Sequence, residues 1–254
     1  MKVEKVFFLN KKLQKLSGLL YPLPPDSNPV LIVVCHGFTG SKEGAGKAVE
    51  MARFLAGSGI STLLFDFAGC GESEGSFEDI SLGGHIEDLE SAVDFCYEKG
   101  YTQIITLGRS FGGSTAICQA PSDLRIKGVC TWAAPASLMD LFLGFTDGEL
   151  PVDQSELVSM AGDEGIIFLK RSFFSDLSLH SVAHCASKLS PRPILVLQGT
   201  GDSVVPREDA LLIYNSAGEP RELHLVEGAD HQFSSHYRAI WDIFLEWVQK
   251  HFSA

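Results

Sequence analysis

Three residues far apart in this chain each stand where a short apolar run gives way to a glycine-rich turn. Ser110 lies in Gly108-Arg109-Ser110-Phe111-Gly112-Gly113, directly after Gln103-Ile104-Ile105-Thr106-Leu107. That reads as a strand turning sharply into a helix, with the serine at the apex. Such a bend strains the apical backbone and brings neighbouring chain close on both sides, so residues 108 and 112 must be small, and both are glycine. The hydroxyl is then held out to attack a carbonyl. A serine hydroxyl is a weak nucleophile at neutral pH; it needs a base to take its proton, and the base needs a carboxylate to orient it. Asp202 follows the apolar run Ile194–Gln198 in Gly199-Thr200-Gly201-Asp202, and His231 follows Glu222–Val226 in Gly228-Ala229-Asp230-His231. Each has a lesser structural reading, Ser110 as a helix N-cap, Asp202 as a turn former and His231 as a helix-entry residue, but one triad accounts for all three together. Asp230 is a rival acid, but as the sequence neighbour of His231 it is badly placed to reach the ring's outer nitrogen.

For these residues to meet, their strands must end on one edge of a sheet. The pattern predicts an antiparallel pair over 2–10 and 12–21, then a breaker-rich turn from Pro22 to Pro29. Continuous apolar runs, as in strands buried on both faces, cover Val30–Cys35, Ser61–Phe67 and Ile126–Trp132. Helices are predicted over 42–56, 81–99, 110–120, 207–217 and 234–252, and strands over 103–107, 193–198 and 222–226. Alternating strand and helix implies a mostly parallel sheet covered on both faces. The alternation breaks over residues 136–190, which read as a helical cap insertion within a single domain spanning 1–254. Two backbone N–H groups should stabilise the oxyanion: that of Phe111, and one from the loop His36-Gly37-Phe38-Thr39-Gly40, with Phe38 the better donor. Each such donor typically contributes ~3 kcal/mol to the transition state. His36 reads as a brace for this loop.

Composition narrows the function classes. The chain has 254 residues, 45% of them hydrophobic, enough for a substantial core. A formal net charge of −12 with no basic cluster argues against a nucleic-acid partner. No stretch approaches the ~20 apolar residues of a membrane span, and the start of the chain lacks a signal-peptide apolar core, so a cytoplasmic protein is expected. The six cysteines, at 35, 70, 96, 118, 130 and 185, form no C-x-x-C pair and read as small buried hydrophobes in a reducing compartment. Asp176, His180 and His184 share a spacing of four, which on one helix would align three metal ligands; no H-E-x-x-H pattern supports a metal, and none is expected. The insertion carries Phe142, Phe145, Phe168, Phe173 and Phe174, some to pack it onto the body and others to line an apolar acyl or aryl pocket. It also carries Asp147, Glu149, Asp153, Glu156, Asp163 and Glu164, read first as a solvated acidic face.

His36-Gly37-Phe38, Asp66-Phe67-Ala68-Gly69-Cys70-Gly71-Glu72-Ser73, the Gly108–Gly113 segment, Gly201-Asp202 and Asp230-His231 together resemble the α/β-hydrolase superfamily over nearly the whole chain. The order Ser, Asp, His is the one that fold carries. Within the superfamily the sequence is similar to cinnamoyl (feruloyl) esterase-like and monoacylglycerol-lipase-like serine hydrolases. Cys70 departs from the usual small or charged residue at its turn. The resemblance implies an eight-stranded, mainly parallel sheet with its second strand antiparallel, helices on both faces and a short, mainly helical cap. It implies a serine esterase acting on a small-molecule carboxylic ester, with catalytic Ser110, Asp202 and His231 and no cofactor. Two other functions are open: a proline-iminopeptidase-like aminopeptidase whose acidic insertion holds the substrate amine, and a non-catalytic binding protein on the same scaffold. The oligomeric state is left open, a homodimer included.

Overall fold

The computed structural model describes residues 3–24, 29–146, 156–162 and 165–252. Pro25 to Asn28 of the predicted turn, and Asp147, Glu149, Asp153, Asp163 and Glu164 of the acidic insertion, lie outside the described residues. Eight strands form the main sheet: β1 (Glu4–Leu9), β2 (Lys15–Tyr21), β3 (Val30–Cys35), β4 (Ser61–Phe65), β5 (Gln103–Arg109), β6 (Ile126–Trp132), β9 (Ile194–Gly199) and β10 (Arg221–Val226), in the order β1-β2-β4-β3-β5-β6-β9-β10. β2 runs antiparallel to both of its neighbours, and the remaining pairs are parallel. This is an α/β-hydrolase fold.

The central strands bury both faces, so their side chains divide with period two between two cores. In β3, Leu31, Val33 and Cys35 join one core while Ile32 and Val34 join the other; in β9, Ile194 and Val196 part in the same way from Leu195 and Leu197. One face is covered by α1 (Lys47–Gly57), through Met51 and Leu55, and by α8 (Tyr237–Phe252), through Ile240, Phe244 and Trp247. The other is covered by α2 (Leu82–Glu98), α3 (Phe111–Gln119) and α7 (Arg207–Ser216). α2 starts where Ser81 Oγ accepts the Gly84 N–H at 2.9 Å, satisfying an amide the helix leaves without a partner.

Between β6 and β9 the chain forms α4 (Leu138–Gly144), β7 (Leu157–Gly162), β8 (Gly165–Lys170), α5 (Ser172–Leu177) and α6 (Val182–Ser187). The three short helices agree with the helical reading of this stretch. The antiparallel hairpin β7–β8 does not, and it was missed because no strand–helix rhythm surrounds it. Its alternation is plain in the burial: Val158 and Met160 point inward, Leu157, Ser159 and Ala161 outward. The start of the stretch is tied to α7, where buried Asp209 accepts from Ala136 N (2.9 Å), Ser137 N (3.2 Å) and Ser137 Oγ (3.2 Å).

Candidate active site

Ser110 sits between the end of β5 and the start of α3 with φ 52° and ψ −125°. A non-glycine residue in this region costs of order 1–3 kcal/mol and persists only where surrounding structure imposes it. Here the Ser110 N–H donates to the Trp132 carbonyl at 2.8 Å, while the Ser110 carbonyl accepts from Gly113 N at 2.8 Å. The glycines are demanded by close approach: a Cβ on Gly108 would lie 2.1 Å from the Gly112 carbonyl oxygen, and one on Gly112 2.3 Å from that of His36.

The structure brings Ser110, His231 and Asp202 together. His231, in the loop after β10, places Nε2 3.2 Å from Ser110 Oγ and Nδ1 2.9 Å from Asp202 Oδ2. Asp202, in the loop after β9, has a fully buried side chain, while that of His231 is 12% exposed. Burial pushes the Asp202 carboxyl up, but hydrogen bonds from His231 and from the Val205 and Val204 amides outweigh it and hold the group below the usual carboxylate range. An ionised Asp202 only accepts, so Nδ1 carries the ring hydrogen and Nε2 turns its lone pair towards Oγ. Asp230 points elsewhere: its Oδ1 accepts the Ser234 N–H at 2.8 Å.

Sequence reasoning missed Gln198. It is a buried amide at the end of the otherwise apolar β9, and its Nε2 donates to Asp202 Oδ2 at 2.9 Å and to the Val205 carbonyl at 3.0 Å. One polar residue closing an apolar run was the available signal. Arg109 was missed too; its guanidinium donates to the Gln232 carboxamide, linking the neighbours of Ser110 and His231.

The His36–Gly40 loop lies against the serine, for a Cβ on Gly37 would be 3.4 Å from Ser110 Cβ. The Phe111 amide is the first of α3, where the helix supplies no acceptor. His36 is buried and braces the loop: its Nε2 accepts the Phe67 N–H at 3.3 Å, which leaves Nδ1–H to donate to the Gly37 carbonyl at 2.8 Å. Burial lowers its pKa, keeping it neutral. The rings of Phe38 and Phe111 meet edge to face at 6.0 Å, and each packs edge-on against Phe142, at 4.9 and 5.4 Å. Beside this loop Lys42, 1% exposed, binds Asp66 at 2.6 Å and Glu72 at 2.7 Å. Gly71 is required there, because a Cβ on it would fall 2.3 Å from the Asp66 carboxylate.

A cavity of about 570 Å³ is bounded by Gly37, Phe38, Arg109 and Gln232; Arg109 and Gln232 are the sequence neighbours of Ser110 and His231, which themselves do not line it. Deeper walls come from Met51, Leu107, Trp132 and Trp241, and Ile166 and Ile167 of the hairpin close one side. Phe142, Phe173 and Phe174 are buried in the core and contribute nothing to its lining, while Phe168 is exposed. Asp176 and His180 approach to 3.6 Å, but His180 lies past the end of α5 and His184 on α6, so the three do not align on one helix. Among the described residues no helix is long and apolar enough to cross a membrane.

With fold and geometry in place, the chain belongs to the alpha/beta hydrolase family, whose model matches residues 32–241. By family it is a hydrolase. It is 25% identical over 265 residues to the YfhR protein of Salmonella typhimurium, covering 99% of this chain and 83% of that one. It is 27% identical over 212 residues to the human mitochondrial palmitoyl-protein thioesterase ABHD10, covering 78% of this chain and 64% of that one. Among solved structures, ferulic acid-bound Est1E from Butyrivibrio proteoclasticus superposes with a TM-score of 0.84 at 22% identity, covering 98% and 100% of the two chains. The alpha/beta hydrolase GrgF from Penicillium sp. sh18 gives 0.82 at 21% identity, covering both chains fully.

Proposed function

We propose that this protein is a serine esterase that cleaves carboxylic esters through an acyl-enzyme. The reading is carried by one observation, the His231 ring hydrogen-bonded to Asp202 on one side and to Ser110 on the other. His231 Nε2 takes the Ser110 proton as Oγ attacks the ester carbonyl. The amides of Phe38 and Phe111 receive the oxyanion. His231 then protonates the leaving alkoxide, and in the second half it deprotonates the water that releases the acid. Asp202 fixes the ring tautomer and stabilises the imidazolium.

The cavity supports an acyl or aryl group of largely apolar character, and hydroxycinnamates fit its aromatic walls by chemistry. Residues 136–190 are assigned as the cap of a single-domain enzyme. A cytoplasmic location belongs to the same proposal and is consistent with six free thiols.

The test is a panel of p-nitrophenyl esters of short and long acids, hydroxycinnamate esters, acyl thioesters and prolyl-anilides, with fluorophosphonate labelling of Ser110. Ester turnover with rapid labelling is expected. Anilide turnover with negligible ester turnover would make the protein an aminopeptidase. Absence of both labelling and turnover would leave a binding protein on a hydrolase scaffold. Thioester turnover far above oxygen-ester turnover would move the substrate class towards that of the ABHD10 relative.

A further inference from the structure

Four donors reach the Asp202 carboxylate, two on each oxygen. Oδ1 accepts the Val204 N–H at 2.8 Å and the Val205 N–H at 2.9 Å. Oδ2 accepts from His231 Nδ1 and from Gln198 Nε2, both at 2.9 Å. Gln198 follows Ile194-Leu195-Val196-Leu197 in β9 and is wholly buried. Its amide also donates to the Val205 carbonyl at 3.0 Å, so residue 205 is held at its N–H by Asp202 and at its carbonyl by Gln198. The Gln198 Oε1 is buried with no hydrogen-bond partner among the described residues. Turning the amide over gives no relief, because Oε1 would then face Asp202 Oδ2 and the Val205 oxygen, both acceptors. A leucine would end this apolar strand without burying an unpaired oxygen. The strand instead keeps a carboxamide whose hydrogens go to the carboxylate behind the imidazole and to the loop that carries it.

We propose that Gln198 is a positioning residue of the Ser110–His231–Asp202 unit: it confines the Asp202 carboxylate to the rotamer that meets His231 and, by sharing Oδ2 with the ring, limits how strongly that oxygen holds the imidazole proton. The inference rests on the proposed catalytic use of those three residues and deepens it. An aspartate side chain turns freely about its single bonds, and the amides of residues 204 and 205 fix only Oδ1. Gln198 fixes the second oxygen from β9, a strand paired on both sides, so this anchor lies in the sheet and not in the loop that carries the acid. When His231 takes the Ser110 proton, the imidazolium and the Gln198 amide draw on the same oxygen. Without the amide, the charge on Oδ2 goes to the ring alone. The ring then holds its proton more tightly and passes it to the leaving group less readily.

The test uses Gln198→Met, which keeps the length of the side chain and removes its N–H groups, with two readouts that need no knowledge of the natural substrate. One is the rate at which a fluorophosphonate labels Ser110 across pH. The other is the far-downfield proton signal of His231 Nδ1, identified by its loss in His231→Gln. In Gln198→Met the labelling rate on the alkaline plateau should fall about tenfold. The acid limb should move to higher pH by about 0.5 or more, with the Nδ1 signal titrating over the same range. A lower Tm with plateau and limb unmoved would reduce Gln198 to a structural strand end and overturn the proposal. In the wild-type protein the Gln198 side-chain amide, followed by heteronuclear NMR, should exchange slowly with water and shift as His231 titrates. Fast exchange, or a signal indifferent to His231, sinks the proposal even if the variant does not fold. A wild-type protein that resists labelling would instead count against the esterase reading, and the amide signal would still decide the role of Gln198.

Discussion

Asp66 and Asp202 are both buried carboxylates held by backbone amides and one basic side chain, and they are used in opposite ways. Asp66 accepts from Lys42 N (2.7 Å), Glu72 N (2.9 Å) and Lys42 Nζ (2.6 Å). Asp202 accepts from Val204 N (2.8 Å), Val205 N (2.9 Å), Gln198 Nε2 and His231 Nδ1. The difference lies in the basic partner. Asp66 and Glu72 hold Lys42 above the ordinary lysine range despite the opposing effect of burial, so its proton never leaves under working conditions. The His231 imidazole instead keeps a second nitrogen turned to a hydroxyl. The same donor pattern thus yields a fixed brace in one region and, in the proposed mechanism, the support of a proton carrier in the other.

Breaking the mobile side should cost rate and spare the fold. Ser110→Ala should lower kcat by up to ~10⁶, with a urea midpoint near that of wild type; loss of the fold would give the serine a structural role instead. Asp202→Asn keeps the shape but favours the wrong ring tautomer, so kcat should fall ~10⁴; a near-normal steady-state rate would point to another acid. Breaking the fixed side should do the reverse. Lys42→Met leaves Asp66 buried without its counter-charge, at a cost of about 3–5 kcal/mol in urea unfolding, while turnover per folded molecule stays close to wild type. A variant that lost rate but not stability would erase the contrast.

The smallest expected effect is in acid. Lys42, and after it Lys5, hold the Glu72 carboxyl at about 2 against its ordinary 4.5. A depressed carboxyl contributes stability that is present above its unfolded value and is lost as pH falls through the folded one. The Tm of wild type should therefore drop more steeply between about 4.5 and about 2 than that of Glu72→Gln, measured by circular dichroism. Parallel curves would mean that Glu72 adds nothing to the brace.

Much of this was legible in the sequence because it rests on local pattern. Val30–Cys35 and Ile126–Trp132 are continuous apolar runs, and they form strands over those same residues. The seryl turn was readable because Gly108 and Gly112 are the only side chains its geometry admits. Asp202 and His231 could be placed because each follows a strand, and strand order puts both ends on one rim. What escaped depends on packing between distant segments. Gln198 looks like any strand residue until its amide is seen against Asp202. The insertion's phenylalanines could not be sorted into pocket and core, because that depends on where the β7–β8 hairpin lies, and Ile166 and Ile167 hold the place at the cavity wall.

The ring contacts of Phe38 and Phe111 carry a lesson for anyone who would re-engineer this molecule. Both residues are the proposed oxyanion donors, and their side chains are seated against Phe142 and Phe173 from the stretch between β6 and β9. Swapping that stretch for a foreign module to obtain a new selectivity would also remove the bedding under two main-chain amides. A successful chimera should need the four-ring seat transplanted along with the new walls.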